Sequence, residues 1–143
     1  MSARLFLDTN VIIDLLGNRD PFFEPIAKIV SLADRGRLTI VACPISFATV
    51  NYILTKYENA KTAIDKLRKF NVLAEVCNLD ETIIEKGLNS NFKDFEDALQ
   101  YYSALSANCE IIISRKGKDF KHSSLPVLSA KEYLKSLGQS IST

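Results

Sequence analysis

Residues 5–16 read LFLDTNVIIDLL, and this stretch decides how the rest of the chain can fold. The apolar run at 5–7 indicates a buried strand, and the apolar residues that follow position 10 repeat at the spacing of a helix. Asp8, Thr9 and Asn10 lie between the two. Open α/β sheets bind ligands at the carboxyl ends of their strands, so this strand would bring a carboxylate to such an edge.

Strand-like and helix-like segments alternate along the remaining sequence. Further strands are predicted at 38–43, 72–76, 111–113 and 125–128, and further helices at 20–36, 44–57, 59–70, 80–87, 94–107 and 129–137. Strands that alternate with helices favour a parallel sheet with right-handed crossovers, covered by helices on both faces. We therefore expect a three-layer α/β fold in a single domain, 1–137, with a polar C-terminal tail at 138–143.

Composition is consistent with this expectation and restricts the cellular setting. The chain has 143 residues, 47% of them hydrophobic, which suffices for a core without disulfides or a structural metal. Basic and acidic residues number 18 and 17, so the net charge indicates no partner. Cys43, Cys77 and Cys109 match no metal-binding spacing and favour buried thiols in a reducing cytoplasm. No secretory signal or membrane-spanning run is visible, so we expect a cytoplasmic protein.

Several acids are predicted to meet at one edge of the sheet. Asp8 follows the first strand and Asp119 the fourth, while Asp94, Glu96 and Asp97 open a helix that returns to the fourth strand. Each acid alone could equally cap a helix or close a turn. Carboxylates that crowd together repel each other unless protons or a cation intervene. Together they predict a site for Mg²⁺ or Mn²⁺, where bound water could attack a phosphodiester.

A basic segment lies beside the predicted acid cluster. Arg115, Lys116 and Lys118 precede Asp119 in the chain. These cations could hold phosphate groups on either side of a cleavage point.

Three segments of the chain resemble the PIN-domain ribonucleases, of the kind found as toxins in VapBC-type toxin–antitoxin pairs. The segments are FLDTNV at 6–11, DFEDA at 94–98 and IISRKGKDF at 112–120, in the family's order and approximate spacing. The closing LPVLSAKEYL at 125–134 is similar to the family's last strand and helix. The resemblance implies a PIN-like central parallel sheet of five strands in the order 3-2-1-4-5.

The resemblance also implies roles for individual residues. Asp8, Asp97 and Asp119 would be the catalytic acids around Mg²⁺ or Mn²⁺, and Asn10 and Ser114 would line the same pocket. Family members cut RNA by attack of metal-activated water, and many form homodimers and bind an antitoxin. The expected protein is therefore a metal-dependent endoribonuclease with an RNA substrate, an antitoxin partner and a homodimeric assembly.

The chain departs from the family's pattern at two positions. Many members have Glu on the helix after the second strand, where this chain has Asn51, and Lys116 stands where the family often has Asn. Asparagine can coordinate a metal through its carbonyl but adds no charge, and a lysine could contact substrate phosphate or occupy the acid pocket. Asp94 or Glu96 could supply the missing charge.

Two other interpretations stay open at this point. Asn51 and Lys116 favour a catalytically weak PIN fold that binds RNA or a partner. The stretches FLDTN at 6–10 and IIIS at 111–114 superficially resemble the first two motifs of haloacid-dehalogenase phosphatases, although that family has Asp where this chain has Asn10. Among the aromatic residues, Tyr101 lies off the apolar stripe of its helix and is predicted to lie at the surface, where it could stack on RNA or contact a second copy.

Overall fold

The apolar residues that open the chain form the central strand of a parallel sheet. The computed structural model describes the backbone of residues 2–142 and the side chains of residues 2–138. The strands are β1 Arg4–Leu7, β2 Thr39–Ala42, β3 Ala74–Val76, β4 Ile111–Ile113 and β5 Val127–Leu128. They pair in parallel in the order β3-β2-β1-β4-β5. The predicted fold class and strand order are confirmed.

Helices cover both faces of this sheet. They are α1 Thr9–Leu16, α2 Phe23–Asp34, α3 Pro44–Tyr57, α4 Ala60–Leu73, α5 Glu81–Leu88, α6 Phe95–Ser106 and α7 Ala130–Ser142, with a 3₁₀ turn at Gly117–Phe120. Successive residues of a strand point to opposite faces. Leu5 and Leu7 accordingly join a core with residues of α1, α2, α3, α4 and α7, whereas Phe6 joins a second core with residues of α6 and the 3₁₀ turn. The sheet is therefore the middle of three layers.

Three helices differ from the prediction by more than one residue at an end. Helix α4 continues to Leu73, past the predicted end at 70, so β3 begins at Ala74 and not at the predicted position 72. Helix α2 begins at Phe23, so Pro21 precedes the helix and Pro25 lies in its first turn instead. Helix α7 continues to Ser142, so the predicted end at residue 137 is wrong. The apolar residues Leu134, Leu137 and Ile141 are spaced three and four apart, so the helical period of the sequence continues beyond residue 137. The extent of the domain, 1–137, stays a prediction.

Within the described part of the chain, no helix is both long and apolar enough to cross a bilayer.

The prediction that Tyr101 lies at the surface is wrong. Its side chain is only 6% exposed, and its ring centroid lies 5.3 Å from that of Phe92. Its hydroxyl is 3.0 Å from Ser124 Oγ and accepts a hydrogen bond from Ser124 N. The helix is covered by the segment around Phe120 as well as by the sheet, so a side chain off the main stripe is also buried.

Candidate active site

Asp8 lies at the carboxyl end of β1 and is 1% exposed. Its backbone N–H donates to the carbonyl of Ile113 at 3.0 Å, which extends the pairing of β1 with β4 by one residue. Its side chain does not cap α1. Instead, Oδ1 accepts from Gln100 Nε2 at 3.1 Å and Oδ2 accepts from Ser114 Oγ at 2.7 Å. These two donors hold the carboxylate in one orientation, so the capping alternative is excluded for this residue.

Gln100 connects Asp8 to the first residue of α1. The Gln100 side chain is fully buried, and its Oε1 accepts from the backbone N–H of Thr9 at 3.0 Å while its Nε2 donates to Asp8. Both polar ends of the amide are therefore used. Sequence reasoning missed this residue, although Gln100 lies three positions after Asp97 and so occupies the same face of α6.

Glu96 is held between α1 and α3. Its Oε2 accepts from Thr9 Oγ1 at 2.8 Å, and its Oε1 accepts from Thr49 Oγ1 at 3.1 Å. Asn51, which we had predicted to line the pocket from α3, instead accepts a weak hydrogen bond from Thr55 within its own helix at 3.5 Å. The acid that reaches α3 is thus contributed by α6.

Asp97 lies in the first turn of α6, where Asp94 Oδ1 accepts from its backbone N–H at 3.0 Å. Burial, followed by the nearby carboxylates of Asp8, Asp94 and Asp119, raises the pKa of Asp97 to about 7 against the opposing effect of Lys116. Burial also raises the pKa of Asp8, opposed by its hydrogen bonds and by Lys116. Asp8, Asp94 and Asp119, which were predicted to meet Asp97 at this edge, therefore each lie within electrostatic range of it.

These carboxylates do not form a closed cage. Among the described residues, no three acid, histidine or cysteine side chains stand close enough to hold a metal ion together. Magnesium keeps several waters and is often held by one or two carboxylates, so a closed cage is not a requirement for it. The electrostatic coupling and the open geometry are both consistent with a loosely surrounded cation.

A cleft of about 570 Å³ opens beside these acids. Asp94 and Asp97 line it from the start of α6. Lys116, Lys118 and Asp119 line it from the segment after β4. Backbone N–H of Lys116 donates to Ser114 Oγ at 3.0 Å, and that hydroxyl in turn donates to Asp8. Asn10 is half-buried on α1, two residues after Asp8, and is not among the residues that line this cleft. We call this space the acid cleft.

Arg115 points away from the acid cleft. Its Nε and Nη2 donate to Asp14 Oδ2 and Oδ1 at 2.7 and 3.1 Å, and its guanidinium lies 4.0 Å from the centre of the Phe22 ring. Asp14 is 1% exposed, so Arg115 neutralises a buried carboxylate. A larger cleft of about 860 Å³ lies on this side, between α1, α2 and α7, but it holds none of the predicted metal-binding acids.

Arg115→Ala is expected to destabilise the fold by about 2 kcal/mol, because Asp14 would stay buried without its partner. The figure lies below that of fully buried pairs because the Arg115 side chain is 31% exposed. Urea denaturation measures the change. The matched control is Arg68→Ala, which breaks an exposed pair with Asp65 and should cost less than about 0.5 kcal/mol. Equal stability of the two variants would contradict the assignment.

Comparison with known proteins identifies the class to which this fold and site belong. The sequence profile of the PIN domain matches residues 4–117, and the chain belongs to the PIN domain family. It is 28% identical over 137 residues to Ribonuclease VapC1 of Aquifex aeolicus (strain VF5), covering 92% of this chain and 94% of that protein.

Solved structures support the same fold. DNA-bound VapBC from Salmonella typhimurium matches with a TM-score of 0.70 at 15% identity, covering 90% of this chain and 98% of that one. VapC20 of Mycobacterium tuberculosis, a toxin that cleaves the sarcin-ricin loop, matches with a TM-score of 0.64 at 11% identity, covering 80% and 92%. The family match and the strand order favour the PIN interpretation over the haloacid-dehalogenase alternative.

Proposed function

We propose that this chain is an endoribonuclease that hydrolyses RNA phosphodiester bonds with Mg²⁺ or Mn²⁺ and acts as the toxin of a toxin–antitoxin pair. The observation that carries the proposal is the crowding of Asp8, Asp94, Asp97 and Asp119, which contributes to raising the pKa of Asp97 to about 7. Carboxylates that repel each other in this way favour binding of a divalent cation, which neutralises their charge. The likeness to a VapC ribonuclease and to VapBC complexes supports the choice of RNA and of an antitoxin.

The residues present fit such a cation. Asp8 and Asp97 offer oxygen ligands, which Mg²⁺ and Mn²⁺ prefer, and such an ion would keep several of its waters. Asp119, on the exposed 3₁₀ turn, stands too far away to join them as a direct third ligand and would contribute its charge. Gln100 and Ser114 orient Asp8 from behind, as residues around metal ligands commonly do. When bound, the cation would supply an activated water and neutralise charge on the phosphate. Lys116 and Lys118 would hold neighbouring phosphates.

A second candidate function is a catalytically weak PIN fold that binds RNA or a partner. It is favoured by Lys116, whose positive charge partly offsets the rise in the pKa values of Asp97 and Asp8. This charge could take the place of a metal ion. Calorimetric titration with Mn²⁺ separates the two: a nuclease site should bind the ion measurably, and a degenerate site should not.

The same proposal includes a cytoplasmic homodimer that binds an antitoxin. The described cysteines Cys43, Cys77 and Cys109 are all buried and free, as expected in a reducing compartment. The solved structures that resemble this chain include VapBC and FitAB complexes. Size-exclusion chromatography tests the dimer, and co-purification with the product of a neighbouring gene tests the partner.

The direct test of the function is an RNA cleavage assay with the purified chain. Total RNA incubated with Mg²⁺ or Mn²⁺ should be cut at defined sites, and EDTA should stop the reaction. Cleavage that continues in EDTA would exclude a metal-dependent mechanism. If no RNA is cleaved under any of these conditions, the binding alternative is favoured.

Gln100→Leu is expected to weaken Mn²⁺ binding about 10- to 100-fold, because Asp8 loses a donor that fixes its carboxylate. Calorimetry measures the affinity, and circular dichroism checks the fold. Ser103→Ala is the matched control: it is buried on the same helix, but its hydroxyl lies 3.6 Å from Cys43 Sγ rather than near the acids. An unchanged Mn²⁺ affinity in Gln100→Leu would show that the amide does not position Asp8.

A further inference from the structure

The acid cleft has a second wall that the proposed metal chemistry does not use. Phe92, Lys93, Lys118, Lys121 and His122 line the same space of about 570 Å³ as the acids. We call these five residues the lysine–aromatic wall. The lining of the cleft therefore combines carboxylates with cations and aromatic rings.

The aromatic part of this wall is rigidly supported. The Phe92 ring centroid lies 5.3 Å from that of Tyr101 and 6.1 Å from that of Phe120, both of which are buried. His122 is exposed and stands edge-on to Phe92, with centroids 6.2 Å apart and planes at 68°. A ring held in place at the rim of a cleft can stack on a ligand with little loss of conformational entropy.

The lysines of the wall are free to bind anions. Lys93, Lys118 and Lys121 are exposed, and within the described part of the chain none of them takes part in an ion pair. Exposed cations next to an accessible ring, here that of His122 beside the half-buried Phe92, are a combination with which proteins bind single-stranded nucleic acid.

We propose that the lysine–aromatic wall is a subsite for one unpaired nucleotide of the RNA, next to the phosphate that is cut. The base would stack on His122 beside Phe92, and its phosphates would lie among the lysines. A base inside a duplex has both faces covered by its neighbours, so stacking of this kind requires a single-stranded or extruded nucleotide. The cleft has the size of a small-molecule site, which suits one nucleotide and not a double helix. This inference rests on the proposed nuclease function and names the substrate class of that site.

The test measures binding without cleavage. The affinity of the wild-type chain for a short fluorescent oligoribonucleotide and for a duplex of the same sequence is measured by anisotropy in EDTA. His122→Ala should weaken binding of the single strand roughly 5- to 100-fold, as expected for the loss of one stacked base. His122→Phe should restore it, because the ring remains while the imidazole is lost. Lys121→Ala should reduce the salt dependence of binding by about 0.7 in the logarithmic slope.

Controls and parallel assays make each outcome decisive. Lys135→Ala, an exposed lysine on α7 outside the acid cleft, should leave the affinity and the slope unchanged. The subsite is refuted if His122→Ala binds the single strand as the wild type does, if the duplex binds as tightly as the single strand, or if the wild type binds neither. A cleavage assay with Mg²⁺ is run alongside. If the binding pattern is as expected but no RNA is cleaved, the nuclease function is refuted and the subsite stands. If RNA is cleaved but the binding pattern is not found, the subsite is refuted and the nuclease function stands.

Discussion

Asp8→Asn is expected to lower metal-dependent RNA cleavage at least about 1,000-fold while the chain stays folded, since metal-ion catalysis contributes several kcal/mol to such reactions. The variant removes the negative charge at the carboxyl end of β1, the central strand of the sheet. Its amide keeps the shape of the carboxylate, with an oxygen that can accept from Gln100 and a nitrogen that can donate to Ser114. Burial disfavours the charged form of Asp8, so loss of the charge does not weaken the fold.

The matched control for this variant is Asp80→Asn. Asp80 caps α5 through a hydrogen bond from the backbone N–H of Ile83 at 3.0 Å, far along the chain from the acids of the site. Asparagine caps helices about as well as aspartate does, so cleavage and stability should both be retained. Cleavage is compared over a range of RNA and Mg²⁺ concentrations. Undiminished cleavage by Asp8→Asn would refute the assignment of the active site.

The metal-free wild type is expected to lose about 2 kcal/mol of stability as the pH rises from about 4 to about 7. The pKa of Asp97 is raised from 3.8 to about 7 in the folded chain. Between these values the folded state binds a proton that the unfolded state has released, so the free energy of unfolding falls with rising pH. The full shift would correspond to about 4 kcal/mol, and we halve it because the site opens to solvent through the acid cleft.

Asp97→Asn should remove the part of this pH dependence that is due to Asp97, while the part due to the raised pKa of Asp8 remains. The variant should be more stable than the wild type above pH 7 in EDTA. Urea denaturation at about pH 5 and about pH 8 measures both chains. Addition of Mn²⁺ at about 100 times its dissociation constant should then raise the stability of the wild type by about 2.7 kcal/mol and that of the variant much less. A flat stability profile for the metal-free wild type would contradict the crowding of charge at Asp97.

Much of the architecture could be predicted from the alternation of apolar runs and helical stripes. The strand order came from the family resemblance and not from the periodicity. The approach of Asp8, Asp97 and Asp119 followed from topology alone, because the carboxyl ends of parallel strands and the start of a returning helix share one edge. These features depend on the path of the backbone, which the hydrophobic pattern determines.

The side-chain partners could not be predicted in the same way. Whether Gln100 faces Asp8 depends on the rotation of α6 about its axis, and the burial of Tyr101 depends on a loop that packs from far along the chain. Arg115 stands at a bend just after β4, where its guanidinium reaches Asp14, whereas Lys116 and Lys118 line the acid cleft. Position in the chain did not distinguish these three basic residues.

The segment after β4 is fixed at both ends and open between them. Arg115 is fastened to Asp14, and Phe120 is 2% exposed within the second core. Between these anchors Lys116, Lys118 and Asp119 line the acid cleft. Apart from Asp119, they can be exchanged at little expense to folding. Substitution of Lys116 or Lys118 could therefore change what the acid cleft binds without unfolding the domain.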